Sequence, residues 1–273
     1  MLIKSITLGL IQGLTEFLPI SSSGHLVIFK GFSGMETQGV IWEISLHFST
    51  LLAIFGVFYK DIFVILKSVY LSCKKSFSGE SIISIFKNDP HTRIFLLIII
   101  GTIPTVLIAF SFRNTFESLF NKPGIAGYML IATGTMLWLT KYNLRISSNK
   151  KNLGIFDALI IGAIQGLAIA PGISRSGTTI ATAIFRGADR ETAARFSFLL
   201  VIPVILGGMA MMARDTITLK SEEFSFLIIG SVVAAITGYI SLRVLIRIVN
   251  TGKLHFFSYY CWPVGLFVIL YFT

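Results

Sequence analysis

Four residues with reactive side chains lie in two similar motifs that are far apart in the chain. The first motif, residues 9–25, reads GLIQGLTEFLPISSSGH, and the second, residues 162–178, reads GAIQGLAIAPGISRSGT. They align without a gap at a spacing of 153 residues. Three reactive residues stand only in the first motif: Glu16, Ser22 and His25. Arg175 stands only in the second, so we expect a protein of two halves with one site at their junction.

The reactive residues of the first motif suggest two kinds of chemistry. Ser22 and His25 are three residues apart, on one side of a helical turn, which suits a Ser–His nucleophile pair. Glu16 follows Gln12 by four residues and shares its helical face. A charge at bilayer depth costs roughly 2.5–3.5 kcal/mol, so Glu16 marks a site. Glu16 is expected to have one of two roles. It is either a ligand, together with Gln12, of a divalent cation (Mg²⁺ or Ca²⁺), or a group that accepts and donates protons. The alternative is a structural partner of Arg175.

The serine-rich end of each motif has the composition of an anion site. A serine at a helix start caps free N–H groups, and the helix N-terminus favours an anion. Arg175 adds a planar fork that suits phosphate. The candidate anion-binding residues come from both motifs: Ser21, Ser23, Gly24, Ser174, Ser176, Gly177 and Thr178. A single Ser/Gly-rich break is more often a turn or a contact between two helices. Two copies together with an arginine favour an anion site instead.

The elements that must position these residues are membrane helices. The chain of 273 residues is 54% hydrophobic and only 13% charged, with a mean hydropathy of +0.80. This composition is typical of an integral membrane protein. Six segments have the roughly 20 apolar residues that a span needs: 41–60, 93–112, 124–141, 195–213, 224–242 and 255–272.

The two motifs themselves predict re-entrant hairpins. Each has a short apolar limb, a Pro/Gly/Ser break and a second short limb, and a polar break at membrane depth must be buried in protein or line a cavity. Each motif is followed by three spans. We therefore predict an all-α membrane protein of six transmembrane helices and two re-entrant hairpins. Its inverted-topology repeats cover residues 1–143, with a cytoplasmic loop over 61–92, and residues 153–273.

The positive charges support one orientation. With both termini outside, 16 Lys and Arg residues lie in or beside the loops predicted to be cytoplasmic and five in the outer loops. The amphipathic stretch 61–90 would lie on the inner surface. The net charge of +10 thus sits in loops between spans and does not indicate a nucleic-acid partner. Cys73 and Cys261 form no metal or disulfide spacing.

These motifs resemble those of a known family. GLTEFLPISSSGH and PGISRSGTT are similar to the two signatures of the bacterial undecaprenyl-diphosphate phosphatases of the bacitracin-resistance type, and GTIPTVLIAF and RFSFLLVIPVILGG extend the similarity along the chain. The resemblance implies removal of the terminal phosphate of a polyprenyl diphosphate on the outer face of the bacterial inner membrane. This reaction recycles the carrier lipid of peptidoglycan synthesis.

The resemblance also assigns roles. It implies Ser22 as nucleophile with Ser21 beside it, His25 as the essential histidine, Arg175 as the phosphate-binding arginine, and Gln12 and Glu16 as the metal motif. Many members have Glu at the position of Gln12, which weakens a two-carboxylate metal site here.

Other functions use a similar architecture. A transporter or flippase of an anionic lipid also uses inverted repeats and broken helices, and an anion channel uses helix N-termini. Neither needs a Ser–His pair beside a carboxylate. The residues leave open which of Ser21, Ser22 and Ser23 attacks, and they leave the oligomeric state open, with a homodimer among the options.

The charge bias generates a test of topology. A single cysteine placed at Lys150, with Cys73 and Cys261 replaced, should resist an impermeant thiol reagent in intact cells and react after permeabilisation. Labelling of position 150 in intact cells would contradict the predicted orientation.

Overall fold

A computed structural model describes residues 2–33, 40–77, 81, 84, 88–142, 152–212 and 221–273. Every regular element in these ranges is helical. The α-helices are α1 (Leu2–Phe17), α2 (Ser22–Ser33), α3 (Val40–Phe77), α4 (Pro90–Ser111), α5 (Arg113–Leu119), α6 (Pro123–Leu139), α7 (Ile155–Leu167), α8 (Arg175–Phe185), α9 (Arg190–Met212), α10 (Ser221–Asn250) and α11 (Ser258–Phe272), the last preceded by a 3₁₀ turn over Leu254–Phe257.

The helix lengths confirm an all-α membrane protein. Within the described residues, five helical segments are long and apolar enough to cross a membrane: Ser45–Ser76, Pro90–Ser111, Arg190–Met211, Phe224–Asn250 and Leu254–Phe272. The remaining predicted span, 124–141, forms α6 with 17 residues, about 26 Å of helix. The count of six spans therefore stays a prediction.

Both motifs form broken helices. The first motif is α1 and α2 with a break over 18–21, and the second is α7 and α8 with a break over 168–174. The second limbs, α2 and α8, have 12 and 11 residues, which give only about 18 and 17 Å of helix. A bilayer core is about 30 Å thick, so these limbs are too short to cross it.

The predicted cytoplasmic loop over 61–92 is helical over residues 61–77, and its cytoplasmic location stays a prediction. There α3 continues beyond the predicted span 41–60, after a kink at Phe58 (φ −103°, ψ 18°). The stretch 59–77 contains neither Gly nor Pro, so nothing in it ends a helix. The loop is also shorter at its end, because α4 begins at Pro90. Residues 78–80, 82, 83 and 85–87 lie outside the described part of the chain.

A polar cluster fixes the continued α3 to the start of α4. Asp89 is the N-cap of α4 and accepts hydrogen bonds from the hydroxyls of Ser68 and Thr92 and from the backbone N–H of His91. Burial raises the pKa of Asp89, but the hydrogen bonds lower it by more, so that the pKa falls below its ordinary value to about 2. The carboxylate is therefore ionised at neutral pH and stabilises the helix N-terminus.

The halves interlock by exchanging their first limbs. The first limb of the first motif, α1, packs mainly on α10 of the second half, and α7 packs mainly on α4 of the first half. The third long helices of the halves, α6 and α11, pack on each other. Neither half can therefore bury its broken helix alone. The repeat boundaries at 1–143 and 153–273 stay a prediction.

Matched glycines allow the exchanged limbs to approach closely. Gly9 of α1 lies against the carbonyl of Gly230 in α10, and Gly162 of α7 lies against the carbonyl of Gly101 in α4. A Cβ at either motif glycine would overlap the facing carbonyl oxygen. Small residues at such contacts let membrane helices pack backbone to backbone.

The close contact at Gly162 generates a stability test. Gly162→Ala should lower the free energy of unfolding by about 1–3 kcal/mol, since the new methyl group overlaps backbone rather than a flexible side chain. The matched control is Gly207→Ala in α9, where an added Cβ meets nothing within 4 Å and removes the glycine penalty of about 0.5–1 kcal/mol. Thermal unfolding in detergent measures both. A midpoint for Gly162→Ala as high as that of Gly207→Ala would contradict the packing.

Candidate active site

The two breaks meet tip to tip. A Cβ on Gly24 would lie 2.9 Å from Cα of Gly172, and a Cβ on Gly177 would lie 2.8 Å from Cβ of Pro19. Each tip therefore fits against the other only because glycine faces it. The two motifs therefore meet at their breaks, which agrees with the expectation of one site at the junction of the two halves.

Ser21 joins the tips through its hydroxyl. Its backbone has φ of 69°, a left-handed conformation that is costly for a residue other than glycine. Its Oγ accepts hydrogen bonds from the backbone N–H of Gly24 in its own hairpin and of Gly172 in the other, both at 3.1 Å. Ser21 is buried. Its hydroxyl thus caps α2 and holds the opposite break at the same time.

The second tip is held in a related way. Ser174 caps α8 by accepting from the N–H of Gly177 at 3.2 Å, and Ser176 Oγ donates to the carbonyl of Phe17, the last residue of α1, at 2.8 Å. Thr133 of α6 donates to the carbonyl of Gly172 at 2.9 Å and accepts from the N–H of Ser174 at 3.1 Å. Thr133 could not be found from the sequence, because a single threonine in an apolar helix belongs to no motif.

Glu16 is the centre of the reactive cluster. Its Oε2 accepts a hydrogen bond from Ser22 Oγ at 2.6 Å and another from Gln12 Nε2 at 2.9 Å. Its Oε1 is paired with the guanidinium of Arg175 from the other hairpin. The Glu16 side chain is only 2% exposed, whereas that of Arg175 is 24% exposed. The arginine is therefore the open partner of a buried carboxylate.

His25 has other partners than the sequence analysis expected. Its Nδ1 lies 2.8 Å from the carbonyl oxygen of Ser21, and its Nε2 lies 2.7 Å from the hydroxyl of Tyr260 in α11. Among the hydrogen bonds of the described residues, none joins Ser22 to His25. The spacing of these two residues is helical as expected, but Ser22 is paired with Glu16 instead.

The candidate anion-binding residues divide by exposure. Ser23 is partly exposed, like the neighbouring reactive residues Ser22, His25 and Arg175. The remaining candidate anion-binding residues are buried at the contact between the two tips, which we call the joint: Ser21, Gly24, Ser174, Ser176, Gly177 and Thr178. The hydroxyl of Thr178, at the position that matches His25, donates to the carbonyl of Ser174 at 2.8 Å. An anion could thus contact the partly exposed residues directly, while the buried residues hold the two tips together.

The oxygen donors around Glu16 fit a hard divalent ion in part. Gln12 is fully buried, and its Oε1 has no hydrogen-bond partner. That oxygen, the Glu16 carboxylate and the Ser22 hydroxyl are the ligand types that Mg²⁺ and Ca²⁺ prefer. Among the described residues, no three His, Cys, Asp or Glu side chains form a metal cluster. An ion here would need further oxygen ligands from water or from a bound phosphate.

Comparisons with known proteins find similarity to one group of proteins over nearly the whole chain. The family model described as "Bacitracin resistance protein BacA" matches residues 5–267. A protein of Desulfatibacillum aliphaticivorans named undecaprenyl-diphosphatase is 44% identical over 269 residues, which are 98% of each chain. Proteins of the same name are 41% identical in Alkaliphilus metalliredigens, over 98% of each chain, and 38% identical in Methanosphaera stadtmanae, over 98% of this chain and 97% of the relative.

The joint at Ser21 generates a stability test. Ser21→Ala removes the cap of α2 and the bond to the other tip, so the free energy of unfolding should fall by about 1–2 kcal/mol. Ser23→Ala is the control, because Ser23 is partly exposed and its hydroxyl makes only a long hydrogen bond of 3.3 Å, to Ser21 of the same hairpin, among the described residues. Thermal unfolding in detergent compares them. Equal midpoints for the two variants would show that the joint does not depend on Ser21.

Proposed function

The chain belongs to the bacitracin resistance protein BacA family, and we propose from this premise that it hydrolyses undecaprenyl diphosphate to the monophosphate and inorganic phosphate. The family membership and the name of the relatives support this substrate. The product is the form of the carrier lipid that peptidoglycan synthesis uses again. A bilayer-embedded protein is suited to a substrate whose reactive group is carried on a long apolar chain.

One observation carries the proposal: Ser22, Glu16 and Arg175 form a contiguous cluster across the two hairpins. A hydroxyl that donates to a buried carboxylate at 2.6 Å is a nucleophile beside a base. A guanidinium on the same carboxylate places a phosphate-binding group within reach. A transporter or flippase would need the anion-binding groups, but it would have no use for the serine and its base.

The cluster suggests an order of steps. Oxygens of the terminal phosphate bind Arg175 and the N-termini of α2 and α8, whose first N–H groups have no partner within the helix. Ser22 Oγ gives its proton to Glu16 and bonds to the terminal phosphorus, while the bond from that phosphorus to the bridging oxygen breaks. Polyprenyl monophosphate leaves. The proton on Glu16 passes to the leaving monophosphate. Water then attacks the phosphorus of the phosphoserine and gives a proton to Glu16, the bond from phosphorus to Ser22 Oγ breaks, phosphate leaves, and Glu16 returns the proton to Ser22.

The base in these steps differs from the one that the sequence suggested. In the structure the hydroxyl of Ser22 points to Glu16, and both ring nitrogens of His25 have other partners. Glu16 is therefore the better candidate for the proton acceptor. Most of the rate gain should arise from Arg175 and the helix N-termini, because phosphoryl transfer depends mainly on positioning and charge stabilisation.

A divalent ion, Mg²⁺ or Ca²⁺, belongs to the proposal as a cofactor. Glu16 and Gln12 would hold it, through the carboxylate and the unpartnered amide oxygen. When bound, such an ion neutralises charge on phosphoryl oxygens. The proposed location is the bacterial inner membrane, with the site open to the outer side; the excess of Lys and Arg in the predicted cytoplasmic loops supports this orientation.

Phosphate release from undecaprenyl diphosphate by the purified protein tests the function. Ser22→Ala should lower turnover on the order of 10³-fold or more with KM little changed, since the nucleophile is lost but the binding groups remain. The control is Ser118→Ala in α5, which removes an exposed hydroxyl bonded only to the backbone of its own helix.

The serine series also separates the mechanisms. Substantial activity in Ser22→Ala together with loss of activity in Ser23→Ala would mean that Ser22 is not the nucleophile. If Ser21→Ala, Ser22→Ala and Ser23→Ala all stay active, a water molecule attacks directly and no phosphoserine forms. Absence of phosphate release by the wild type would refute the proposed function.

The metal is tested by chelation and by restoring a carboxylate. Excess chelator should abolish wild-type activity, and added Mg²⁺ or Ca²⁺ should restore it. Gln12→Glu should lower the half-activating metal concentration about tenfold, because a second carboxylate raises the ligand charge of the site. The control is Gln165→Glu at the matching position of the second motif, where Ile169 stands in place of the carboxylate and the Gln165 amide donates to Thr105 and to the carbonyl of Leu200; it should leave that concentration unchanged. Full activity of the wild type in excess chelator would contradict the metal.

A further inference from the structure

We propose that Tyr260 is a positioning residue of this site, which fixes the His25 ring and through it the backbone that presents Ser22. The proposal rests on the proposed phosphatase function for its kinetic readout. Tyr260 belongs to none of the motifs, and it is 235 residues from His25 in the chain. Its hydroxyl nevertheless makes the only hydrogen bond that the structure gives to His25 Nε2 among the described residues.

The hydrogen bonds define the tautomer of His25. A carbonyl oxygen can only accept, so Nδ1, 2.8 Å from the Ser21 carbonyl, carries a proton and donates. In the neutral ring Nε2 is then an acceptor, and the Tyr260 hydroxyl at 2.7 Å donates to it. The two rings also stack, with centroids 5.7 Å apart and an interplanar angle of 16°. The Ser21 carbonyl therefore sets the tautomer, and Tyr260 fixes the plane of the imidazole through its hydrogen bond and the stacked ring.

The chain of hydrogen bonds ends next to the nucleophile. The carbonyl of Ser21 belongs to the peptide that links Ser21 to Ser22, so its direction determines how Ser22 enters α2. This carbonyl accepts from both the backbone N–H and the ring of His25, at 3.1 and 2.8 Å. The Ser21 backbone is in the left-handed region and needs outside support. Tyr260, acting through His25, supplies part of that support.

The start of α11 is built against the first tip. Cys261, the residue after Tyr260, is fully buried, and its Sγ lies 3.7 Å from the carbonyl oxygen of Pro19. Tyr260 and Cys261 thus contact the first hairpin from one helix, at His25 in α2 and at Pro19 in the break. The preceding residue, Tyr259, packs its edge on Trp138 and Trp262 and is 56% exposed. Tyr259 therefore provides a control of the same type on the same turn.

Steady-state kinetics with Tyr260→Phe test the proposal, because this change keeps the ring and removes only the hydroxyl. We expect turnover to fall 10- to 100-fold with KM within about twofold of the wild type, as small misplacements of reacting groups cost on the order of 10²-fold. Tyr259→Phe should leave both constants unchanged. Wild-type turnover in Tyr260→Phe, or a change in KM alone, would overturn the proposal.

A double-mutant cycle shows whether Tyr260 acts through His25. In a His25→Ala background, Tyr260→Phe should have no further effect on turnover. His25→Asn should recover part of the activity that His25→Ala loses, since the asparagine amide can replace Nδ1–H as donor to the Ser21 carbonyl. An equal loss on Tyr260→Phe in both backgrounds would mean that the tyrosine acts independently of His25.

A readout that needs no substrate separates this proposal from the phosphatase function. Nitrogen NMR of ¹⁵N-histidine protein, with the His25 signals assigned by their loss in His25→Ala, should show the Nδ1–H tautomer. Tyr260→Phe should shift the Nε2 signal, and Tyr259→Phe should not. If the wild type released no phosphate, the function would fail and these spectra alone would decide the role of Tyr260. Unchanged His25 signals in Tyr260→Phe would refute it.

Discussion

A helix that breaks within the apolar interior of a membrane protein leaves backbone N–H and C=O groups that water cannot reach, and the fold depends on how these groups are paired. Here each hairpin supplies partners for the other. Ser21 of the first break accepts from the N–H of Gly172 in the second, and Ser176 at the start of α8 donates to the carbonyl of Phe17 at the end of α1. The exchanged packing of α1 and α7 onto the opposite halves brings the breaks into register. The joint that satisfies the backbone is therefore also the joint that assembles the cluster.

The duplication produces one reactive cluster because the matched positions differ in charge and chemistry. Ile169 stands where the first motif has Glu16, and Arg175 stands where it has Ser22. A buried carboxylate alone would be strongly destabilising, and a guanidinium from the other hairpin compensates it. Two carboxylates or two arginines facing each other could not pair in this way. The divergence of the two copies thus gives each of these charges a partner of opposite sign where the tips meet.

Much of this arrangement could be predicted from the sequence, because composition, the lengths of the apolar segments and repetition determine it. Composition and apolar segments predicted the membrane class, and the repeated motif predicted that Glu16 and Arg175 would share one site. The continuation of α3 to Phe77 was missed because a positively charged, amphipathic stretch was read as a surface segment although no residue in it ends a helix. The partner of Ser22 was missed because spacing along a helix does not determine where a hydroxyl points. Thr133 and Tyr260 carry no local pattern, and only the packing of α6 and α11 on the tips brings them to the cluster.

The different exposures of Glu16 and Arg175 give the proposed reaction a physical order. The carboxylate is buried and bonded on both oxygens, whereas the guanidinium is partly open. An arriving phosphate can therefore interact with Arg175 first and draw it away from Oε1 of Glu16. Loss of that positive partner makes the carboxylate a stronger base, and it is then still bonded to the hydroxyl of Ser22 through Oε2. Binding of the anion would thus activate the nucleophile, and without substrate the same ion pair would keep the serine protonated.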